Sequence, residues 1–235
     1  MTGPRLYVAA GITLLVVGGV AVGVAVSRLG EEPVACWAVD DAQRALGPGP
    51  LTSGSPTITA LGDSFSLGVG VSGPQEAWPA VLGGQLGAEV VVDGVGATGL
   101  TTRGFCPESP ITYGERVDRD PPEGEVVVLQ GSVNDATGGD PDEVGEAARD
   151  LLADLDDVPT VVVVGVPVIP AAELAALRTI DDALRAAAAD AGRAYVPLLD
   201  EDIEILPDRV HPTVEGQQRI GELVAAAVEA GGAPG

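Results

Sequence analysis

The sequence predicts a three-layer α/β/α sandwich around a five-stranded, mostly parallel sheet, preceded by an N-terminal membrane helix. Three observations predict it. Short apolar runs alternate with segments of helical period along most of the chain. Two of those runs, Val126–Gln130 and Thr160–Val166, are nearly unbroken Val and Leu, the pattern of strands buried on both faces of a parallel sheet. From Tyr7 to Val26 the chain is apolar and uncharged.

The strands are expected at Thr57–Leu61, Glu89–Val92, Val126–Gln130, Thr160–Val166 and Ala194–Leu198. Helices are expected near Ala77–Leu86, Pro141–Leu155, Ala171–Ala191 and Glu215–Ala230. Ligands of such open sheets bind beyond the carboxyl ends of the strands, so chemistry is to be sought there.

The first segment, 1–29, reads as a membrane anchor or a signal sequence. Twenty helical residues reach roughly 30 Å, the hydrocarbon thickness of a bilayer. Arg5 precedes the run, and Arg28, Glu31 and Glu32 follow it, which favours an inside N-terminus and an extracytoplasmic remainder. A cleaved signal would release the protein instead; Ala25-Val26-Ser27 is the best cleavage candidate. Residues 30–56 are rich in Gly, Pro and Ser and read as a linker, with one helical turn near Asp40–Leu46. The folded domain is expected over 57–230, with 231–235 as a flexible tail.

Composition excludes some partners. The chain holds 35 Asp+Glu against 12 Lys+Arg, a net charge of −23, and no lysine at all. Such a surface repels phosphate backbones, so nucleic acid is not an expected partner. Aromatics are only 3% of the chain, which leaves the core to Val, Leu, Ile and Ala. There are two cysteines, Cys36 and Cys106. Outside the cytoplasm such a pair is expected to form a disulfide.

The chemistry-bearing residues fall at strand ends. The first strand runs into Gly62-Asp63-Ser64, which exposes a serine at the functional edge. The third runs into Gly131-Ser132-Val133-Asn134-Asp135, where an Asn amide is placed to meet a developing oxyanion. The second runs into Asp93-Gly94-Val95-Gly96-Ala97-Thr98-Gly99, whose small residues allow close backbone approach to a substrate. This segment also spells G-x-G-x-x-G, but a loop rather than a helix follows it, so dinucleotide binding is not expected. The chain has a single histidine, His211, in Asp208-Arg209-Val210-His211-Pro212 just before the last helix. A carboxylate three residues before the imidazole can hold one ring nitrogen, leaving the other to take a proton from serine.

These four blocks, in this order, resemble the GDSL/SGNH hydrolase family over about Thr57 to Ala230. The resemblance implies a flavodoxin-like α/β/α fold and a serine esterase or lipase activity with no metal or organic cofactor. It implies Ser64 as nucleophile, His211 as general base and Asp208 as its orienting acid. It implies an oxyanion hole from the Ser64 N–H, a glycine-block N–H and Asn134. Gly96-Ala97-Thr98 best fits the family's Gly-x-Thr, and Gly99-Leu100-Thr101 fits it too, so Gly96 and Gly99 are alternative donors. Ser132 stands where the family's third block has glycine.

The expected activity is hydrolysis of a small or lipid-like carboxylic ester. Two other readings share these residues: an acyltransferase acting on cell-envelope glycans, and an inactive tethered binding module. Arg103, Arg116 and Arg119 are candidates either to hold an anionic substrate group or to balance nearby acids.

Overall fold

The structure, a computed structural model, describes residues 34–104 and 111–231. The expected membrane segment and Cys106 lie outside the described residues. Among the described residues no helix is long and apolar enough to cross a membrane, and no cysteine is free.

Five strands form one sheet in the order β2-β1-β3-β4-β5. They are β1 (Thr57–Gly62), β2 (Glu89–Gly94), β3 (Val126–Gln130), β4 (Thr160–Val164) and β5 (Ala194–Val196). All four pairings are parallel, with Gly62 beside Gly94, Leu61 beside Leu129 and Val163 beside Tyr195. The central strand β3 is buried at every position, as its continuous apolar run requires.

The expected helices are α3 (Trp78–Leu86), α5 (Val144–Asp154), α6 (Leu174–Asp190) and α7 (Val214–Glu229). Helix α3 packs against α7, and α5 packs against α6. Right-handed crossovers put α3 on one face and α5 and α6 together on the other, since the chain reverses direction across the sheet after β2.

Three helices were not expected at their full extent. α1 (Val34–Leu46) begins in the stretch read as linker. Its Val39 packs with Leu67 and Val69, its Gln43 side chain donates to Gly94 O at 3.2 Å, and the compact unit carrying the sheet begins at Ala38. The residues after it are also docked: Leu51 N donates to Val90 O, and the Thr52 hydroxyl to Ala88 O. A Gly/Pro-rich composition is compatible with such edge-covering backbone pairing. α2 (Ser64–Leu67) is a single turn opened by the nucleophile candidate. α4 (Tyr113–Arg119) starts at a reciprocal capping box between Thr112 and Glu115, inside the Pro-rich stretch.

Candidate active site

The Ser64 turn is built by its neighbour. Asp63 caps α2, accepting from Phe65 N at 2.9 Å, so the chain breaks from strand to helix at the serine. Gly70, at φ 95°, lets the returning chain run beneath His211, since a side chain there would strike Leu206 and crowd His211.

His211 sits in a tight antiparallel excursion beyond β5. Leu206 N donates to His211 O at 2.8 Å, Thr213 N to Glu204 O at 2.9 Å, and Ile205 bridges Pro212. Within it Asp208 Oδ1 accepts from Val210 N at 2.9 Å and from His211 N at 3.0 Å. That turn aims the carboxylate at the ring: Asp208 Oδ2 lies 2.7 Å from His211 Nδ1, and His211 Nε2 lies 3.1 Å from Ser64 Oγ. With Nδ1–H given to Asp208, Nε2 keeps its lone pair toward the serine hydroxyl. Burial opposes the charge on Asp208, but the Val210 N–H and the His211 contacts outweigh it and hold its pKa below the ordinary aspartate value.

Between Asp208 and His211, Arg209 adopts φ 71°, the left-handed region that disfavours a side chain. Its guanidinium donates to Pro170 O at 2.6 Å and its carbonyl accepts from Ala171 N at 3.1 Å. The histidine loop is thereby tied to the loop that follows β4.

Behind Ser64 lies a buried polar cluster that sequence reading did not foresee. Asp63 is fully buried. Beyond Phe65 N, its carboxylate accepts from Gln130 Nε2 at 2.8 Å, Ser132 Oγ at 2.6 Å and Asn134 Nδ2 at 3.1 Å. Gln130 in turn accepts from Ser66 Oγ at 2.6 Å and Trp78 Nε1 at 3.1 Å. The one signal for Gln130 was a polar residue closing an apolar strand. Burial raises the Asp63 pKa against the pull of these hydrogen bonds. The buried Tyr113 hydroxyl makes no hydrogen bond of normal geometry, and burial followed by the charge on Asp63 lifts its pKa well above the usual phenol value.

Asn134 opens toward this cluster, with Nδ2 also 3.0 Å from Thr98 O. Its neighbour Asp135 is buried and fastens the glycine block, accepting from the backbone N–H groups of Leu100, Thr101 and Thr102 and from both threonine hydroxyls. A side chain at Gly99 would collide with that carboxylate. Gly99 N–H donates to Thr102 O at 2.9 Å, whereas among the described residues Gly96 N–H makes no such backbone bond. Gly96 is buried against Val39 of α1.

Two of the three candidate arginines serve the scaffold. Arg116 is buried, donating to Asp93 at 2.6 Å and to Gly62 O at 2.8 Å, and Arg103 pairs with Glu115 at 2.5 Å. A cleft of about 750 Å³ runs along the β1–β2 face, lined by Thr59, Val91, Asp93, Arg116 and Arg119, and no triad residue lines it.

The family model of the GDSL-like Lipase/Acylhydrolase family matches residues 60–219. Solved structures share the fold at low identity. A carbohydrate acetylesterase from Sinorhizobium meliloti, Est24, is 15% identical, with TM-score 0.61 over 75% of this chain and 99% of its own. The psychrotrophic esterase EstA from Pseudoalteromonas sp. is 14% identical, with TM-score 0.59 over 75% and 98%. TesA is 20% identical, with TM-score 0.59 over 74% and 98%. No curated protein matches in sequence.

Proposed function

The chain belongs to the GDSL-like lipase/acylhydrolase family and is a carboxylic ester hydrolase, and we propose accordingly that it works by two-step acyl transfer through Ser64. The observation that carries this reading is the continuous contact from Asp208 through His211 to Ser64, at 2.7 and 3.1 Å. Ser64 Oγ attacks the ester carbonyl while His211 Nε2 takes its proton. The tetrahedral oxyanion is met by the Ser64 N–H, which opens a helix and has no intrahelical acceptor, by the Gly96 N–H, and by one N–H of Asn134. His211 returns the proton to the departing alcohol. Water, activated by the same imidazole, then releases the acid and restores Ser64. Gly96 is preferred to Gly99 because the latter's N–H is already committed to Thr102.

The substrate in this reading is a small or lipid-like carboxylic ester. Water rather than a sugar is taken as the acceptor, in keeping with the match to an acylhydrolase family. A fluorophosphonate ester should label Ser64 covalently in the wild type and not in Ser64→Ala. Labelling that persists at another residue, with ester hydrolysis intact, would sink the assignment.

The domain is proposed to work outside the cytoplasm, tethered through residues 7–26, on the strength of the uncharged apolar run and its flanks. Added protease should digest it in intact spheroplasts; protection there refutes the topology. In that compartment Cys36 and Cys106 are proposed to pair. Peptide mapping without reductant should recover the two linked, and two free thiols would refute the bridge.

A further inference from the structure

Ser132 occupies the position at which the family pattern has glycine, and it is fully buried. Its Oγ lies 2.6 Å from Asp63 Oδ2 and 2.8 Å from Thr98 O. The Asn134 amide faces the same two acceptors, with Nδ2 3.1 Å from Asp63 Oδ2 and 3.0 Å from Thr98 O. Hydroxyl and amide also touch each other, at 3.0 Å.

The hydrogen inventory has a consequence. The amide carries two hydrogens and the hydroxyl one. In the resting site the amide nitrogen is within hydrogen-bond distance of both acceptors, so its two hydrogens can serve them both. An oxyanion needs one of them. Without Ser132, turning that N–H away would leave a buried carboxylate or carbonyl oxygen short of a donor, which is costly in a dry site. With Ser132, the hydroxyl rotates onto whichever acceptor the amide releases.

We propose that Ser132 is a positioning residue of the oxyanion hole, whose hydroxyl replaces the Asn134 N–H on Asp63 or Thr98 when that N–H turns to the oxyanion. This rests on the reading of Asn134 as an oxyanion donor. The exchange happens only as charge develops on the carbonyl oxygen, so it favours the transition state over bound substrate. A purely structural role is also visible, because Ser132 Oγ accepts from Asn134 N at 3.1 Å and caps the short turn Val133–Ala136. The two roles separate in kinetics.

The test is a double-mutant cycle on a soluble ester with the full chain. Ser132→Ala should lower kcat by roughly 10-fold or more and leave KM within about 2-fold. Asn134→Ala should lower kcat by roughly 10²–10³-fold. The double variant should be no slower than Asn134→Ala within about 2-fold, because Ser132 acts through that amide. Ser132→Cys, which keeps a weak donor, should recover part of the loss. Tyr195→Phe removes a partly buried hydroxyl, bonded to Asp181 at 2.5 Å, and should lower thermal stability while kcat stays at the wild-type value. Additive losses in the cycle, or wild-type kcat in Ser132→Ala beside a slow Asn134→Ala, overturn the role of Ser132 and leave Asn134 standing. A wild-type rate in Asn134→Ala overturns the donor reading itself, and this inference with it. If Ser132→Ala does not fold, Ser132→Cys carries the same comparison: a fall in kcat at constant KM supports the exchange, and an unchanged kcat refutes it.

Discussion

Two carboxylates flank Ser64, and they are held in opposite ways. Asp63 is fully buried and takes hydrogen bonds from residues 67, 69 and 71 positions away along the chain as well as from its own turn. Asp208 has a side chain 45% exposed, and all its partners lie two or three residues onward. The nucleophile side is a product of the whole fold. The base side is a local turn that carries its own geometry. Removing a residue from the first should disturb structure and rate together, while removing one from the second should disturb rate far more than structure.

The largest expected effect falls where the two sides meet. Ser64→Ala and His211→Ala should each lower ester turnover by about 10³-fold or more, and the double variant should lose little further, because the pair acts as a unit. Full additivity in the rate assay would show that the sides work independently. Next come the carboxylates themselves. Asp63→Ala removes the shared acceptor of Phe65 N, Gln130 Nε2, Ser132 Oγ and Asn134 Nδ2 and should lower unfolding free energy by on the order of 3 kcal/mol in denaturant titrations. Asp208→Ala should cost less than about 1 kcal/mol of stability. Its rate loss should still be large, though roughly tenfold to a hundredfold smaller than that of His211→Ala. Equal destabilisation by the two alanines would erase the contrast.

A subtler consequence is that acid should pull the two in opposite directions. The Asp63 pKa is raised by burial, so between the ordinary aspartate value and that raised value the folded chain holds a proton the unfolded chain lacks. Its contribution therefore grows as pH falls through that window. The Asp208 pKa is lowered on balance, so its contribution is present above the ordinary value and is lost as pH falls through the lowered one. Stability curves of Asp63→Asn and Asp208→Asn against pH should deviate from wild type with opposite slopes. Deviations of the same sign would contradict this. The smallest effect concerns Arg209. Arg209→Gly relieves the left-handed strain that Arg209→Ala retains, so the glycine variant should be the more stable of the two by about 1 kcal/mol. Equal melting midpoints would mean the φ of 71° carries no strain.

The same contrast explains what could be read from residues alone. The central strands β3 and β4 were legible because continuous Val and Leu runs of strand length mark strands buried on both faces. The contact from Asp208 through His211 to Ser64 was legible because Asp208 and His211 are a local motif and the histidine has no competitor in the chain. The Asp63 cluster was not, because Gln130, Ser132 and Asn134 reach Asp63 only through strand order, which no local pattern encodes. Helix α1 was legible only as one turn near Asp40–Leu46, its full length masked by Gly- and Pro-rich surroundings although Val39, Ala42 and Leu46 recur at helical spacing. Helix α4 had a readable signal in Thr112-x-x-Glu115, masked by flanking prolines.

Helix α7 does more than cover the sheet. Its Gln217 accepts from Trp78 N at 2.9 Å and donates to Phe65 O at 3.2 Å, clamping the turn that bears Ser64. The imidazole just ahead of it meets a serine 147 residues earlier in the chain. A ribosome therefore makes the proposed nucleophile long before its proposed base. Contacts this distant in sequence close late. If the proposed mechanism holds, a chain that stops short of His211 carries an inert serine, whatever else of the sheet it has built.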